Sequence, residues 1–145
     1  MKAHIISIGD EILIGQTINT NAAYIGSKLV ENNVQVIKTS VIGDDYEQII
    51  KGFKLAYDES DLVIVTGGLG PTHDDITRKC IVDFFDTELV HNDTVLEDIK
   101  NLGILILWNT NTIIFYTNNP ESGCIFPGNL NNWWHIRKVK SQGIG

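Results

Sequence analysis

Cysteine, basic residues and long apolar runs are all scarce in this chain. Two cysteines in 145 residues, Cys80 and Cys124, form no disulfide framework and no metal-type spacing. Cys80 lies in an apolar periodic stretch and reads as a small core residue. Lysine and arginine number 11 against 18 aspartates and glutamates, a formal net charge of −7. Such a surface does not attract nucleic acid or an anionic membrane as a whole, so neither is expected as a partner. The longest purely apolar run, Ile104 to Trp108, falls far short of the ~20 residues that cross a bilayer. Asp10 and Glu11 interrupt the amino-terminal apolar run before a signal-peptide core forms. A cytoplasmic protein with reduced thiols is the expectation. Missing too are a Gly-x-Ser-x-Gly elbow, a His-Glu-x-x-His helix and a Walker loop with its lysine. Of the scattered histidines, His73 alone lies near a candidate site, where a solvent-facing loop position is expected.

What is present points to one α/β domain. Ala3 to Ile8 is a short apolar run ending at Gly9, as in a buried strand. Thr20 or Asn21 is placed to cap a helix with an apolar face of Ala22, Ile25, Leu29 and Val30, ended by Asn32-Asn33. Val34 to Ile42 is β-favouring. Asp44 or Asp45 then precedes a helical face of Tyr46, Ile49, Ile50, Phe53, Ala56 and Tyr57. Leu62 to Thr66 reads as a central strand, and Ile76, Cys80, Ile81 and Phe84 as one face of a further helix. A short strand at Leu89-Val90 and a short helix over 93–101 follow. This alternation predicts a parallel sheet covered on both faces, with ligands beyond the carboxyl ends of its strands. Composition changes near residue 104. Beyond it Glu121 is the one acid, against Arg137, Lys138 and Lys140, and all three tryptophans lie there.

Two loops lie at predicted strand ends. The loop after the third strand is Thr66-Gly67-Gly68-Leu69-Gly70-Pro71-Thr72-His73-Asp74-Asp75-Ile76-Thr77. Its glycines admit positive φ and let bare main chain approach a ligand. Backbone N–H groups of Gly67, Gly68, Leu69 and Gly70, the following helix N-terminus, and the hydroxyls of Thr72 and Thr77 can hold a phosphate. Glycines alone carry little weight, because tight strand-to-helix turns need them anyway. Asp74 and Asp75 carry more. One aspartate at a helix start is ordinarily a cap. Two beside a phosphate would repel it unless a divalent cation lies between, since Mg²⁺ is held by one or two carboxylates plus substrate phosphates. Asp75 is therefore read as a metal or catalytic carboxylate, and Asp74 either as a second one or as a cap. The first loop adds Asp10 and Glu11, which either join the metal site or serve as a turn cap and a solvated acid. Asp44, at a third strand end, has the same two readings. Asn19 and Asn21 either reach the ligand or cap a helix.

Residues 1 to about 103 resemble the amino-terminal domain of the competence/damage-inducible protein A (CinA) family, part of the molybdopterin-binding (MoaB/MogA/MoeA-like) superfamily. The resemblance is carried by Ala3 to Gln16 (Ala-His-Ile-Ile-Ser-Ile-Gly-Asp-Glu-Ile-Leu-Ile-Gly-Gln), by Asn19-Thr20-Asn21, by Val41-Ile42-Gly43-Asp44, and above all by Thr66 to Thr77. It implies a three-layer α/β/α fold with a mainly parallel sheet, and a nucleotide or pterin phosphate as ligand. In the molybdenum-cofactor members the Gly-Gly-x-Gly loop holds pterin phosphate, and the aspartate at the position of Asp75 takes part in adenylyl transfer. In CinA-type members the domain is linked to metal-dependent hydrolysis of the ADP-ribose diphosphate bond, with Mg²⁺, Mn²⁺ or Co²⁺ as the ion. Self-association is common in the superfamily, so a homo-oligomer is implied. The chain is too short to add the nicotinamide mononucleotide deamidase domain of many bacterial members. It also departs from the family's later Thr-Glu-Asn-Asn, Gly-Thr-Ala-Pro-Gly and Leu-Pro-Gly-Pro-Pro segments, of which Asn109-Thr110-Asn111 and Pro120-Glu121-Ser122 are faint echoes. Residues 1–104 are thus expected to form the CinA-type domain. Residues 105–145 are expected to be a divergent, truncated or frame-disrupted continuation that costs the sheet its last strand. The alternatives to an enzyme are a binding module without turnover and an inactive remnant.

Overall fold

The computed structural model describes residues 1–68, 76–91, 112–116, 119–126 and 134–138. Its first half alternates as expected. Strand β1 (Lys2–Ile8) leads through a short helix α1 (Asp10–Leu13) into helix α2 (Thr20–Glu31). Strand β2 (Gln35–Ile42), helix α3 (Tyr46–Glu59), strand β3 (Leu62–Thr66), helix α4 (Ile76–Phe85) and strand β4 (Thr87–His91) follow. Three more strands come from the tail: β5 (Thr112–Tyr116), β6 (Asn119–Phe126) and β7 (Trp134–Lys138). The helix expected over 93–101 lies outside the described residues. Among the described residues no helix is long and apolar enough to cross a membrane.

The seven strands among the described residues form one sheet in the order β2-β1-β3-β5-β6-β7-β4. β1 pairs in parallel with β2 and with β3, and this is the parallel sheet read from the sequence. The remaining pairings are antiparallel and were not anticipated. Residues beyond 104 contribute strands to this sheet. β5 runs along the whole of β3, from Leu62 opposite Tyr116 to Thr66 opposite Thr112, so β3 is no edge. The run Thr112-Ile113-Ile114-Phe115-Tyr116 is β-branched and aromatic throughout, which suits a strand whatever its family ancestry.

Side chains alternate across the sheet and so face two helical layers. On one face Ile6, Ile8, Val63 and Val65 pack with Ile49, Phe53 and Ala56 of α3 and with Cys80 and Ile81 of α4. On the other, Ile5 meets α2 at Gly26. The helical faces mostly follow the periodicity. Ala22 and Ile25 are buried, but Val30 is 64% exposed, because it sits one residue further round the helix than Leu29. The N-cap of α2 is Asn19, whose side chain accepts from the Ala22 N–H, and not Thr20 or Asn21. Asp45 caps α3 by accepting from the Gln48 N–H. Cys80 is fully buried, and burial, with Asp83 nearby, pushes its thiol up to about 11. It is an inert core residue, as its apolar surroundings imply.

His4 is a histidine buried in the sheet. Its ring is buried, with Nε2 2.8 Å from the Ser40 hydroxyl and Nδ1 buried without a partner. Burial, reinforced by Lys38 and opposed by Glu59, holds its pKa below the ordinary value. The unfolded chain therefore binds a proton more readily than the native one. Native stability should fall as pH drops through about 6.5 and stop falling from this source below the native value. Urea unfolding of wild type and His4→Gln between pH 7.5 and 5 checks this. The variant should lose less stability across that window, and equal losses would contradict the assignment.

Candidate functional site

The carboxyl ends of β1, β2 and β3 finish side by side. Ser7 and Ile8 stand opposite Val41 and Ile42 of β2, and Ser7 stands opposite Thr66 of β3. The next residues on the three strands are Gly9, Gly43 and Gly67. The Gly9 N–H donates to the Ile42 carbonyl at 3.0 Å, extending the β1–β2 ladder past the strands. Gly67 lies directly on the Ile8 carbonyl oxygen, where a Cβ would collide with it. The start of the glycine loop thus packs on the end of β1, the residue before the acidic loop. From β1 the chain crosses outward to β2 and then returns to β3 on the other side of β1. A reversal of strand order of this kind, here between β1 and β3, is where α/β sheets commonly bind ligands.

Gly67 and Gly68 both have left-handed backbone, with φ of 92° and 63°. A side chain at Gly68 would run into the Thr77 hydroxyl. Thr77, in the first turn of α4, is fully buried, and its Oγ1 has no hydrogen-bond partner. An unsatisfied buried hydroxyl costs about 1–3 kcal/mol. The fold therefore carries an unsatisfied polar group beneath the glycine loop.

On the acidic side, α1 begins at Asp10. The Asp10 N–H donates to Asp44 Oδ2 at 3.2 Å, and the Asp44 N–H donates to Asp10 Oδ1 at 3.1 Å. Asp10 and Asp44, selected separately in the sequence, are therefore neighbours. Glu11 folds back over Gly9, its carboxylate 2.7 Å from where a Gly9 side chain would begin. Among the described residues no cluster of three or more potential metal-ligating His, Cys, Asp or Glu residues forms. Asn21 lies exposed in the first turn of α2. Leu69, Gly70, Thr72, His73, Asp74 and Asp75 lie outside the described residues.

Two residues of the site were not singled out in the sequence. Ser7 and Thr66 are buried polar residues at the ends of otherwise apolar strands. The Asn19 side-chain amide donates to Ser7 Oγ at 2.9 Å, and the Thr66 hydroxyl donates to the same oxygen at 3.3 Å. Asn19 thus caps α2 with its oxygen and ties the helix to the central strand tips with its nitrogen. The available signal was a lone hydroxyl in each apolar run, Ile-Ile-Ser-Ile and Val-Ile-Val-Thr, just before the strand-end glycine.

A profile of the probable molybdopterin binding domain family matches residues 4–135. The chain belongs to this family. Within it the chain is CinA-like: it is 35% identical to the protein CinA from Thermoplasma acidophilum, a protein described as of unknown function. The superposition has a TM-score of 0.59 and covers 75% of this chain and 69% of that one. A CinA-like protein of Salinibacter ruber is 50% identical over 100 residues, which is 69% of this chain and 24% of the relative. A putative competence-damage inducible protein of Alkaliphilus metalliredigens is 48% identical over the same shares. The chain therefore spans about a quarter of the length of these curated relatives. The family fold extends to the tungsten cofactor synthesizing protein MoaB from Pyrococcus furiosus, at 22% identity and a TM-score of 0.57, covering 90% of this chain and 83% of that one.

The close approaches at the two glycines set an order for their replacement. Gly67→Ala should destabilise by about 2 kcal/mol or more, because left-handed strain adds to a clash with main chain. Gly68→Ala should cost less, since its obstacle is a side-chain hydroxyl. Adding Thr77→Ala to Gly68→Ala should recover about 1 kcal/mol in a double-mutant cycle of unfolding free energies. Strict additivity would show that the two residues do not touch.

Proposed function

We propose that the tips of β1 and β3 form a binding site for the phosphate groups of a nucleotide or pterin, and that with a divalent ion the site hydrolyses the diphosphate bond of ADP-ribose. The observation that supports this reading is the close approach of Gly67 to the Ile8 carbonyl, which sets the glycine loop against the end of β1, just before the acidic loop, at the reversal of strand order. Bare main chain at Gly67 and Gly68 lets a phosphate oxygen approach backbone N–H groups. The start of α4 adds partial positive charge, with Leu69, Gly70, Thr72 and Thr77 as further donors. Asn21 in the first turn of α2 would reach the sugar or base portion.

The carboxylates set the electrostatic condition. Asp10, Glu11 and Asp44 gather negative charge beside the place assigned to an anion. Water-exposed acids and a diphosphate coexist there when a cation lies between them. Carboxylate oxygens suit a hard ion such as Mg²⁺, Mn²⁺ or Co²⁺. One oxygen of Asp44 stands outside its bond with the Asp10 N–H, so its donor chemistry fits. Asp44 and Asp75 would hold the ion, with Asp74 beside them. When bound, such an ion neutralises charge on the diphosphate and lowers the pKa of bound water. Asp75 would orient the attacking water, which adds at phosphorus and yields AMP and ribose 5-phosphate.

Incubation of the protein with ADP-ribose should release AMP only when Mg²⁺, Mn²⁺ or Co²⁺ is added. Asp75→Asn should lower the rate by about 100-fold or more while leaving the melting temperature nearly unchanged. ADP-ribose that raises the melting temperature without releasing AMP would replace the enzyme by a binding module. Neither stabilisation nor AMP from folded protein would overturn the whole reading.

A further inference from the structure

We infer that Asp10 is a positioning residue: its carboxylate latches the turn after β2 to the turn after β1 and so sets the backbone and side chain of Asp44. The two aspartates exchange main-chain hydrogen bonds, Asp10 N–H to Asp44 Oδ2 and Asp44 N–H to Asp10 Oδ1. This exchange continues the β1–β2 ladder. Its last pairing within the strands is Ile8 with Ile42, and the next bond runs from the Gly9 N–H to the Ile42 carbonyl. Beyond that point side-chain carboxylates take the place of main-chain carbonyls. Two like charges gain nothing from proximity in themselves, so the pairing is held by the amides each carboxylate accepts from.

Gly43 supplies an independent sign of the same arrangement. It is buried although the two residues after it, Asp44 and Asp45, are exposed. A Cβ there would stand 2.6 Å from Asp10 Oδ1 and 3.2 Å from Leu13 Cδ2. The Asp10 carboxylate occupies the space a side chain at position 43 would need. The glycine before Asp44 is therefore required by the latch. Asp45, one residue on, is committed to capping α3 through the Gln48 N–H. Asp44 thus sits between two anchored neighbours, the latch before it and the helix cap after it. The backbone position of Asp44 follows from both.

This role rests on the proposed phosphate site only in its consequence for ligand. The latch itself is testable without one, through exchange of the Asp44 amide followed by NMR. Asp10→Asn keeps an oxygen that accepts from that amide and removes the charge. Asp10→Ala removes the acceptor. Gly43→Ala displaces the carboxylate without altering any acid. Exchange at Asp44 should rise about tenfold or more in Asp10→Ala and in Gly43→Ala, and stay within about threefold in Asp10→Asn. Affinity for ADP-ribose with Mg²⁺, read by thermal shift, should follow the same order, with Asp10→Asn restoring what Asp10→Ala loses. Unchanged exchange in Asp10→Ala and Gly43→Ala would overturn the latch. Intact exchange in Asp10→Asn, with affinity as low as in Asp10→Ala, would overturn the positioning role and make Asp10 a direct ligand of the ion. Should wild type bind no ADP-ribose, the functional proposal falls and amide exchange alone decides the latch.

Discussion

β1 is hydrogen-bonded on both sides, to β2 from Lys2 to Ile8 and to β3 from Ala3 to Ser7, and both ladders run parallel. Parallel strands end at the same edge of a sheet. Their register then decides which residues meet beyond that edge. Here Ile8 stands opposite Ile42 and Ser7 opposite Thr66, so Gly9, Gly43 and Gly67 all follow at the same edge. A slip of one residue in either ladder would turn Ile6 and Ile8 away from Phe53 and Ile49, and would part Gly67 from the Ile8 carbonyl. The hydrophobic core and the candidate site thus depend on the same pairing.

The two ends of the parallel sheet differ in what they bury. Its middle is aliphatic: Ile5, Ile6, Val63 and Ile64 are almost wholly inaccessible. Burial of such side chains contributes about 1.5–3 kcal/mol each. Toward the rim polar groups enter. Ser7, Thr66 and Asn19 satisfy one another, whereas the Thr77 hydroxyl has no partner. Local stability is lower where the chain exposes main chain and leaves a donor unused, and such departures from good packing are common at binding sites. At the other end His4 brings a titratable ring into the core, and one of its nitrogens is satisfied by Ser40.

Much of this was legible in residue order. The apolar run Leu62 to Val65 could only be a buried strand, and the spacing of Ile49, Phe53 and Ala56 could only be a helix facing a core. The glycine loop and the acids at strand ends marked the rim. Finer points escaped, each for a local reason. Asn19 caps α2, one of its two readings, but its second contact, with Ser7, escaped because it is not local in sequence. Asp10 opens a helical turn where a loop was expected. Val30 looked apolar and in phase but points outward. The tail was read by its loss of family motifs, and its strand-forming run at 112–116 was overlooked.

Residue order alone determined the α/β class, the family, and which segments carry chemistry, because periodicity, strand-end glycines and a long specific motif are all local patterns. Tertiary structure alone decided which acids are neighbours. Asp10 and Asp44 stand 34 positions apart in the chain, and only the β1–β2 ladder brings their amides and carboxylates into reciprocal bonds. It alone also decided that β5 covers β3, since an antiparallel strand finds its partner by hydrogen-bonding geometry and side-chain fit rather than by nearness in sequence.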